Sequence, residues 1–185
     1  SSRMGREKTF ELVGGRTILE RIIARLRMQV DEVIINANGD LERFGRSGLA
    51  VIGDLRPDEG SPFAGLHTAL RFASGGGFDS VLTVPSDTPF LPSDLANRLA
   101  AARHPAAIAA SDGQAHFLTG LWSAMLLGKA EDAMLQPRIP RVQDWARQCD
   151  AAIIQWPTEP YDPFFNVNTP QELAEAQRIA ANFAP

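Results

Sequence analysis

The chain has little cysteine, little lysine and no long apolar run. Its single cysteine, Cys149, excludes an internal disulfide and any metal cluster built on several cysteines. No stretch reaches 18 consecutive apolar residues, which excludes a membrane-spanning helix of ordinary length. These absences are typical of a protein of a reducing compartment, and we expect a cytoplasmic location and no membrane partner.

Positive charge is also scarce relative to negative charge. The net charge is −4 and the sequence pI is near 5.4, which argues against nucleic acid as a partner. Only Lys8 and Lys129 accompany the arginines. Lys8 closes the opening stretch "SSRMGREK", where Gly5 permits close backbone approach and Arg3 can meet phosphate oxygens. This stretch predicts a loop that binds an anion, although a solvent-exposed terminal segment would have the same composition.

Several familiar catalytic patterns are missing. There is no GxxxxGK[ST] phosphate loop and no GxGxxG, so a Walker-type ATPase and a dinucleotide dehydrogenase lose support. His67, His104 and His116 stand alone, without the spacing of metal ligands. There is no GxSxG elbow either. The sequence therefore shows no evident histidine, serine or cysteine that could act as a catalytic nucleophile.

Apolar patterning predicts strands that alternate with helices along most of the chain. Short apolar runs such as "EVIIN", "LAVIG", "SVLTV", "AAIAAS" and "AAIIQW" read as strands, and "TILERIIARLRM" reads as an amphipathic helix. Alternation of this kind is typical of α/β proteins in which helices cover both faces of a mainly parallel sheet. We expect one three-layer α/β/α domain over residues 1–185.

Two helix starts carry strong signals. Thr17 with Glu20 forms a capping-box pattern ahead of the first helix. Thr169, Pro170 and Glu172 form the equivalent pattern ahead of the last one.

Asn and Asp stand at four predicted strand ends or helix approaches: Asn36, Asp54, Asp87, and the pair Asn166 and Asn168. Ligands of open α/β sheets bind at the carboxyl ends of the strands, so these side chains are candidates for binding nucleotide or metal. Asn and Asp are also common turn formers, and any one of them could only shape its loop.

Asp87 is the sharpest candidate. It follows a buried-type strand, and Pro85 and Pro89 restrict its loop. A carboxylate held in this way suits Mg²⁺, which takes one or two carboxylates together with substrate phosphates.

The ordered motifs "SSRMGREK", "INAN", "SPFAGL", "PSDTPFLP" and "FFNVNTPQEL" resemble those of the molybdenum cofactor guanylyltransferases, members of a nucleotidyltransferase family with a Rossmann-like fold. The resemblance runs from Ser1 to about Ile179. It implies an enzyme that joins GMP from GTP to molybdopterin carrying molybdenum, forming the guanine dinucleotide cofactor and pyrophosphate.

The resemblance also implies roles for individual residues. The catalytic residues would be Asp87, Lys8 and Arg3, with Asp87 as the Mg²⁺ ligand. The GTP-binding residues would be Gly5, Lys8, Asn36, Asp54, Gly65 and Asp87. The residues facing the pterin substrate would be Arg141, Asn166 and Asn168.

The match has one conspicuous departure. In the family a strand and an "LAGG" segment come before the serines, whereas this sequence begins at Ser1. The resemblance therefore implies a strand ahead of Ser1. Phe117 also stands where the family has proline after the histidine, which puts a role for His116 in doubt.

The partners implied are GTP, molybdopterin carrying molybdenum, and downstream the insertion proteins and molybdoenzymes that receive the cofactor. A monomer and a weak oligomer both fit. Two alternatives stay open at this point: a cytidylyltransferase of the same fold with a pterin or sugar-phosphate acceptor, and a non-catalytic nucleotide-binding adaptor for cofactor delivery.

Overall fold

A computed structural model describes residues 8–55 and 61–183. Arg3 and Gly5, both predicted to bind phosphate, lie outside the described residues.

The described residues contain the predicted alternation of strands and helices. The strands are β1 (Leu12–Val13), β2 (Arg16–Thr17), β3 (Ile34–Asn36), β4 (Ala50–Ile52), β5 (Ser80–Thr83), β6 (Ala106–Ser111), β7 (Gln114–Ser123) and β8 (Ala152–Trp156). The helices are α1 (Ile18–Leu26), α2 (Pro62–Gly75), α3 (Leu95–Ala101), α4 (Leu127–Met134), α5 (Val142–Gln148) and α6 (Pro170–Asn182). Short 3₁₀ turns include Lys8–Phe10, Glu42–Ser47 and Ala124–Leu126.

The sheet arrangement is mixed rather than mainly parallel. β3 pairs with β4 in parallel, and a separate four-stranded sheet has the order β5-β7-β6-β8. β7 runs antiparallel to both of its neighbours, whereas β6 and β8 are parallel. The reason is a tight hairpin between β6 and β7. Its two turn residues, Asp112 and Gly113, have φ of 45° and 72°, the left-handed values that a two-residue Asp-Gly hairpin turn requires.

Helices cover both faces of the four-stranded sheet, which confirms the three-layer architecture. All six residues of β6 are buried, and successive side chains point to opposite faces. Ala107 and Ala109 belong to a core that includes residues of α1, α3 and α6. Ala106 and Ile108 belong to a second core built with α2, α4 and α5.

Both predicted helix starts are confirmed. The Thr17 hydroxyl accepts a hydrogen bond from the Glu20 N–H at 3.1 Å, and the Glu20 carboxylate accepts one from the Thr17 N–H at 2.7 Å. At α6 the Thr169 hydroxyl accepts from the Glu172 N–H at 3.2 Å. These caps satisfy backbone donors that have no partner within the helix.

A slot of about 600 Å³ separates the two sheets. Residues of β3 and β5 line it, and α1, α2 and α3 contribute apolar residues to its walls. Among the described residues no strand pairs with β5 or β3 across this slot.

Within the described part of the chain, no helix is both long enough and apolar enough to cross a membrane.

The unequal pairing of the strands predicts unequal hydrogen exchange. β6 is hydrogen-bonded on both sides, whereas β8 is paired on one side only among the described residues. We expect the β6 amides to exchange about tenfold or more slowly than those of β8. Exchange mass spectrometry on the intact protein measures this, with β7, which is also paired on both sides, as the internal comparison. Equal protection of β6 and β8 would contradict it.

Candidate functional site

The candidate site lies where β3, β4 and β5 end. Asn36 is the last residue of β3, Asp54 follows β4, and Asp87 follows β5. Asn36 and Asp54 both line the slot between the sheets, as does Ser86, the residue before Asp87. The expectation that strand ends collect the polar candidates is therefore met for these positions.

Two asparagines hold the Asp54 carboxylate from opposite sides. The Asn36 amide donates to Asp54 Oδ1 at 2.8 Å, and the Asn38 amide donates to Oδ2 at 2.7 Å. The Asn38 side-chain oxygen in turn accepts from the Asp54 backbone N–H at 2.9 Å. Each carboxylate oxygen keeps further acceptor capacity, so this cluster presents a fixed pair of acceptors to a ligand with adjacent donors.

Gly65, in the first turns of α2, closes this cluster from the helix side. A methyl group at Gly65 would lie 2.8 Å from the Asn36 amide nitrogen and 3.5 Å from Asp54 Oδ1. The glycine therefore allows the helix backbone to approach the cluster closely, which is the structural reason for this residue in "SPFAGL".

Asp87 is largely buried, and its Oδ1 has no hydrogen-bond partner among the described residues. Burial raises the pKa of this carboxyl above its ordinary value. Its own backbone N–H and the charge of Lys8 oppose the shift, while Glu172 adds to it. An unpaired, desolvated carboxylate oxygen costs free energy in the empty protein unless a cation compensates it.

Lys8 joins Asp87 on this side of the site. The Lys8 ammonium donates to the Asn168 side-chain oxygen at 2.9 Å. The Asn168 backbone N–H donates to the Glu172 carboxylate at 2.7 Å. A lysine, an asparagine and two carboxylates thus meet at the start of α6.

Backbone contacts fix the three segments of the site to one another. The Val167 N–H donates to the Asp87 carbonyl at 2.9 Å. The Thr9 hydroxyl donates to the Ser86 carbonyl at 3.0 Å. The end of β5 therefore carries the turn that holds Lys8 on one side and the segment that holds Asn168 on the other.

The structure does not bring every candidate into contact. Asn166 is exposed between the buried residues Phe164 and Val167, close in sequence to Asn168. Arg141 is exposed at the N-terminus of α5, and no described contact links it to the other candidates.

Sequence reasoning missed some of the site. Asn38 was visible as the second asparagine of "NAN", and Glu172 was recognised only as a helix cap. His67 is buried in α2, as expected of a packed histidine. His116, by contrast, is not isolated, because it hydrogen-bonds to a serine that no spacing rule connects to it.

Asp87 is suited to a hard divalent cation. Its unpaired oxygen is the kind of ligand that Mg²⁺ takes, and the remaining positions would be filled by water and phosphate oxygens. Within residues 8–55 and 61–183 no three His, Cys, Asp or Glu side chains converge as a closed metal cage. The residues present therefore fit a metal that arrives with a phosphate-bearing substrate.

The raised pKa of Asp87 predicts that Asp87→Asn stabilises the metal-free protein near neutral pH. The folded state disfavours the ionised carboxylate, so removing the charge raises the melting temperature at pH 7 by a few degrees. As pH falls through the raised pKa, the carboxyl of the unmodified protein takes up a proton and the difference disappears. Melting curves with chelator at pH 7 and pH 4 test this.

The matched control is Asp79→Asn, an exposed aspartate just before β5. A variant Asp87→Asn that is less stable than the unmodified chain at pH 7 would contradict the assignment of a desolvated charge.

The sequence is similar to those of known proteins. The model of the MobA-like NTP transferase domain matches residues 1–152. A molybdenum cofactor guanylyltransferase of Nitrobacter hamburgensis is 43% identical over 183 residues, covering 96% of this chain and 88% of the relative.

Solved structures share the fold. The molybdopterin-guanine dinucleotide biosynthesis protein A of Archaeoglobus fulgidus superposes with a TM-score of 0.71 at 22% identity, covering 98% of this chain and 94% of that one. A Mycobacterium tuberculosis protein solved in complex with manganese has a TM-score of 0.64 at 14% identity, covering 94% and 93%. By its sequence and its fold, the chain belongs to the MobA-like NTP transferase family.

Proposed function

We propose that this nucleotidyltransferase transfers GMP from GTP to the terminal phosphate of molybdopterin carrying molybdenum, yielding the guanine dinucleotide cofactor and pyrophosphate. The observation that carries the proposal is the buried Asp87 carboxylate with one unpaired oxygen, held beside Lys8 at the end of β5. The names of the curated relatives support the same reaction.

The reaction is an in-line displacement at phosphorus. An oxygen of the acceptor phosphate forms a bond to the α-phosphorus of GTP, and the bond from that phosphorus to the α–β bridging oxygen breaks. The bonding electrons leave with pyrophosphate. Because the attacking phosphate is already anionic, no general base is needed, and positioning with charge neutralisation supplies the rate.

Asp87 and Lys8 have different roles in neutralising the negative charge of the phosphates in this step. The Lys8 ammonium, 2.9 Å from Asn168, lies where it can turn to the phosphates of a bound nucleotide and stabilise the leaving pyrophosphate. Mg²⁺ on Asp87 would supply Lewis-acid neutralisation of the phosphate oxygens. Arg3 and Gly5 are proposed for the same phosphates on the resemblance alone.

The Asp54 cluster is proposed as the guanine subsite. Its carboxylate accepts one amide hydrogen bond on each oxygen, from Asn36 and Asn38, and can accept more. The Watson–Crick edge of guanine presents two adjacent donors, which pair with two fixed acceptors. Cytosine presents one donor beside acceptors, so a cytidylyltransferase is not favoured at this site. The curated relatives point the same way.

The acceptor side is proposed around Asn166, Asn168 and Arg141. Asn168 lies next to the phosphate-binding lysine, and exposed Asn166 precedes it by two residues. Arg141 supplies a cation at the start of α5. GTP and molybdopterin are the proposed substrates in the cytoplasm, and the product would pass to insertion proteins and molybdoenzymes.

Turnover of the Asp87→Ala variant tests the proposed function. Pyrophosphate release is measured with GTP, molybdopterin and Mg²⁺, and we expect the unmodified chain to be active only when all three are present. Losing this half-buried carboxylate should cut turnover about 10²–10³-fold while the fold is kept. The control Asp79→Ala removes an exposed carboxylate at the opposite end of β5 and should keep activity.

Two outcomes would count against the proposal. An Asp87→Ala variant that turns over as fast as the unmodified chain would contradict the assignment of Asp87 as the metal ligand. A chain that binds GTP yet releases no pyrophosphate in the complete mixture would favour the adaptor alternative.

Gly65→Ala tests the guanine subsite. The added methyl would lie 2.8 Å from the Asn36 amide, so that the amide and the Asp54 carboxylate have to move apart. We expect GTP affinity to fall about tenfold, as for the loss of one hydrogen bond to a charged group. Calorimetry with GTP and with CTP measures both bases.

Gly75→Ala is the matched control, since this glycine lies in the same helix and a methyl there meets nothing within 4 Å. Stronger binding of CTP than of GTP by the unmodified chain would reverse the choice of base.

A further inference from the structure

Three side chains that the proposed reaction does not use form one hydrogen-bonded chain. Ser111, at the end of β6, lies between His116 of β7 and Asp162 of the loop ahead of α6. Its hydroxyl oxygen is 2.7 Å from His116 Nε2 and 3.1 Å from Asp162 Oδ2. The hydrogen bonds connect the β6–β7 hairpin to a loop about 50 residues later in sequence.

The direction of these hydrogen bonds follows from what each group can donate. The Ser111 hydroxyl has one hydrogen and donates it to the Asp162 carboxylate, so it accepts from His116 Nε2–H. Burial lowers the pKa of His116, with the charge of Asp162 opposing, which favours the neutral imidazole. Ser111 is only 1% exposed, so water does not compete for this chain.

The chain ends on the backbone at Phe164. Asp162 Oδ1 accepts from the Phe164 N–H at 2.9 Å, and the Asp162 carbonyl accepts from the Phe165 N–H at 3.1 Å. The buried Phe164 ring also contacts the rings of His116 and Trp156, with centroids 4.8 and 5.4 Å away. His116 is thus linked to Phe164 in two ways: indirectly, by the hydrogen bonds through Ser111 and Asp162, and directly, by contact between the two rings.

Phe164 is the first residue of the stretch Phe164–Asn168, here named the acceptor segment. Its other anchor is Val167, which is fully buried and donates its N–H to the Asp87 carbonyl at 2.9 Å. Asn166 projects between the two anchors, and Asn168 follows the second. The direction in which Asn166 faces therefore depends on Phe164 being held in place, whereas Asn168 is also held by Lys8 and Glu172.

We propose that His116, Ser111 and Asp162 are positioning residues that hold the acceptor segment in its binding conformation and so set the affinity for the acceptor phosphate compound. This inference rests on the proposed function. None of the three is placed at the reacting phosphates. Their loss should therefore raise the KM for the acceptor, while GTP binding and kcat change little.

Ser111→Ala is the first test, because it removes the bridging hydroxyl and leaves both partners in place. We expect the KM for molybdopterin to rise about tenfold, the effect typical of a hydrogen bond to a charged group, with GTP affinity within about twofold. Ser93→Ala, which alters an exposed serine, is the matched control and should leave both constants unchanged. An unchanged KM in Ser111→Ala would overturn the proposal.

Two substitutions of His116 separate the hydrogen bond from the ring contact. His116→Gln keeps an N–H donor and should retain most of the acceptor affinity, whereas His116→Phe keeps a ring against Phe164 but loses the donor. A larger loss in His116→Gln than in His116→Phe would assign the effect to the ring contact and overturn the hydrogen-bonded role. If Ser111→Ala does not fold, the KM values of His116→Gln and His116→Phe test the proposal in its place.

Hydrogen exchange supplies a readout that does not need activity. In Ser111→Ala we expect the amides of the acceptor segment to exchange about tenfold faster, with the middle of α6 unchanged. Failure of the proposed function appears as no acceptor-dependent pyrophosphate release by the unmodified chain, and exchange still decides the positioning role. Failure of the positioning role appears as unchanged exchange and unchanged KM in an active enzyme.

Discussion

One backbone hydrogen bond joins the two halves of the site. The Val167 N–H donates to the Asp87 carbonyl, so the loop that presents the candidate metal ligand also holds the segment that presents Asn168. The contact depends on main-chain atoms, and side-chain changes nearby cannot remove it without moving a loop. Lys8 closes the arrangement by donating to Asn168. On the proposed function, nucleotide phosphates and acceptor would bind to groups whose spacing is set by the fold before either ligand binds.

The same arrangement explains why a costly carboxylate is kept at the end of β5. Asp87 loses hydration without gaining a hydrogen-bond partner for Oδ1 among the described residues. Lys8 lowers the cost and Glu172 raises it, so these two charges oppose each other and burial remains the largest effect on the pKa of Asp87. A site whose polar groups are all satisfied without a ligand would gain little from a cation, whereas the proposed cation and its phosphates would complete this one. On that proposal, some stability of the free protein is given up in exchange for binding.

Much of the fold and part of the site could be predicted from the sequence. Helix caps such as Thr169 and strand-end residues such as Asp87 are local signals, and the structure has them where the pattern indicated. The sequence pattern predicts a mainly parallel sheet, whereas the sheet is mixed. The reason is that Asp112 and Gly113 form a hairpin turn that brings β7 back antiparallel to β6. The Ser111–His116 contact could not be predicted from spacing, since it depends on how that hairpin twists and pairs.

The two sides of the site therefore differ in how they are encoded. The proposed guanine side consists of residues at the ends of two adjacent strands, where Asn36, Asn38 and Asp54 hold one another directly. The proposed acceptor side is held from a distance, since Phe164, two residues before Asn166, is anchored by residues of another part of the sheet. Two short sequence motifs are therefore enough to specify the first side. On the positioning proposal, the second side can change its acceptor preference through substitutions that never touch the acceptor, because a change in the anchoring of Phe164 redirects Asn166.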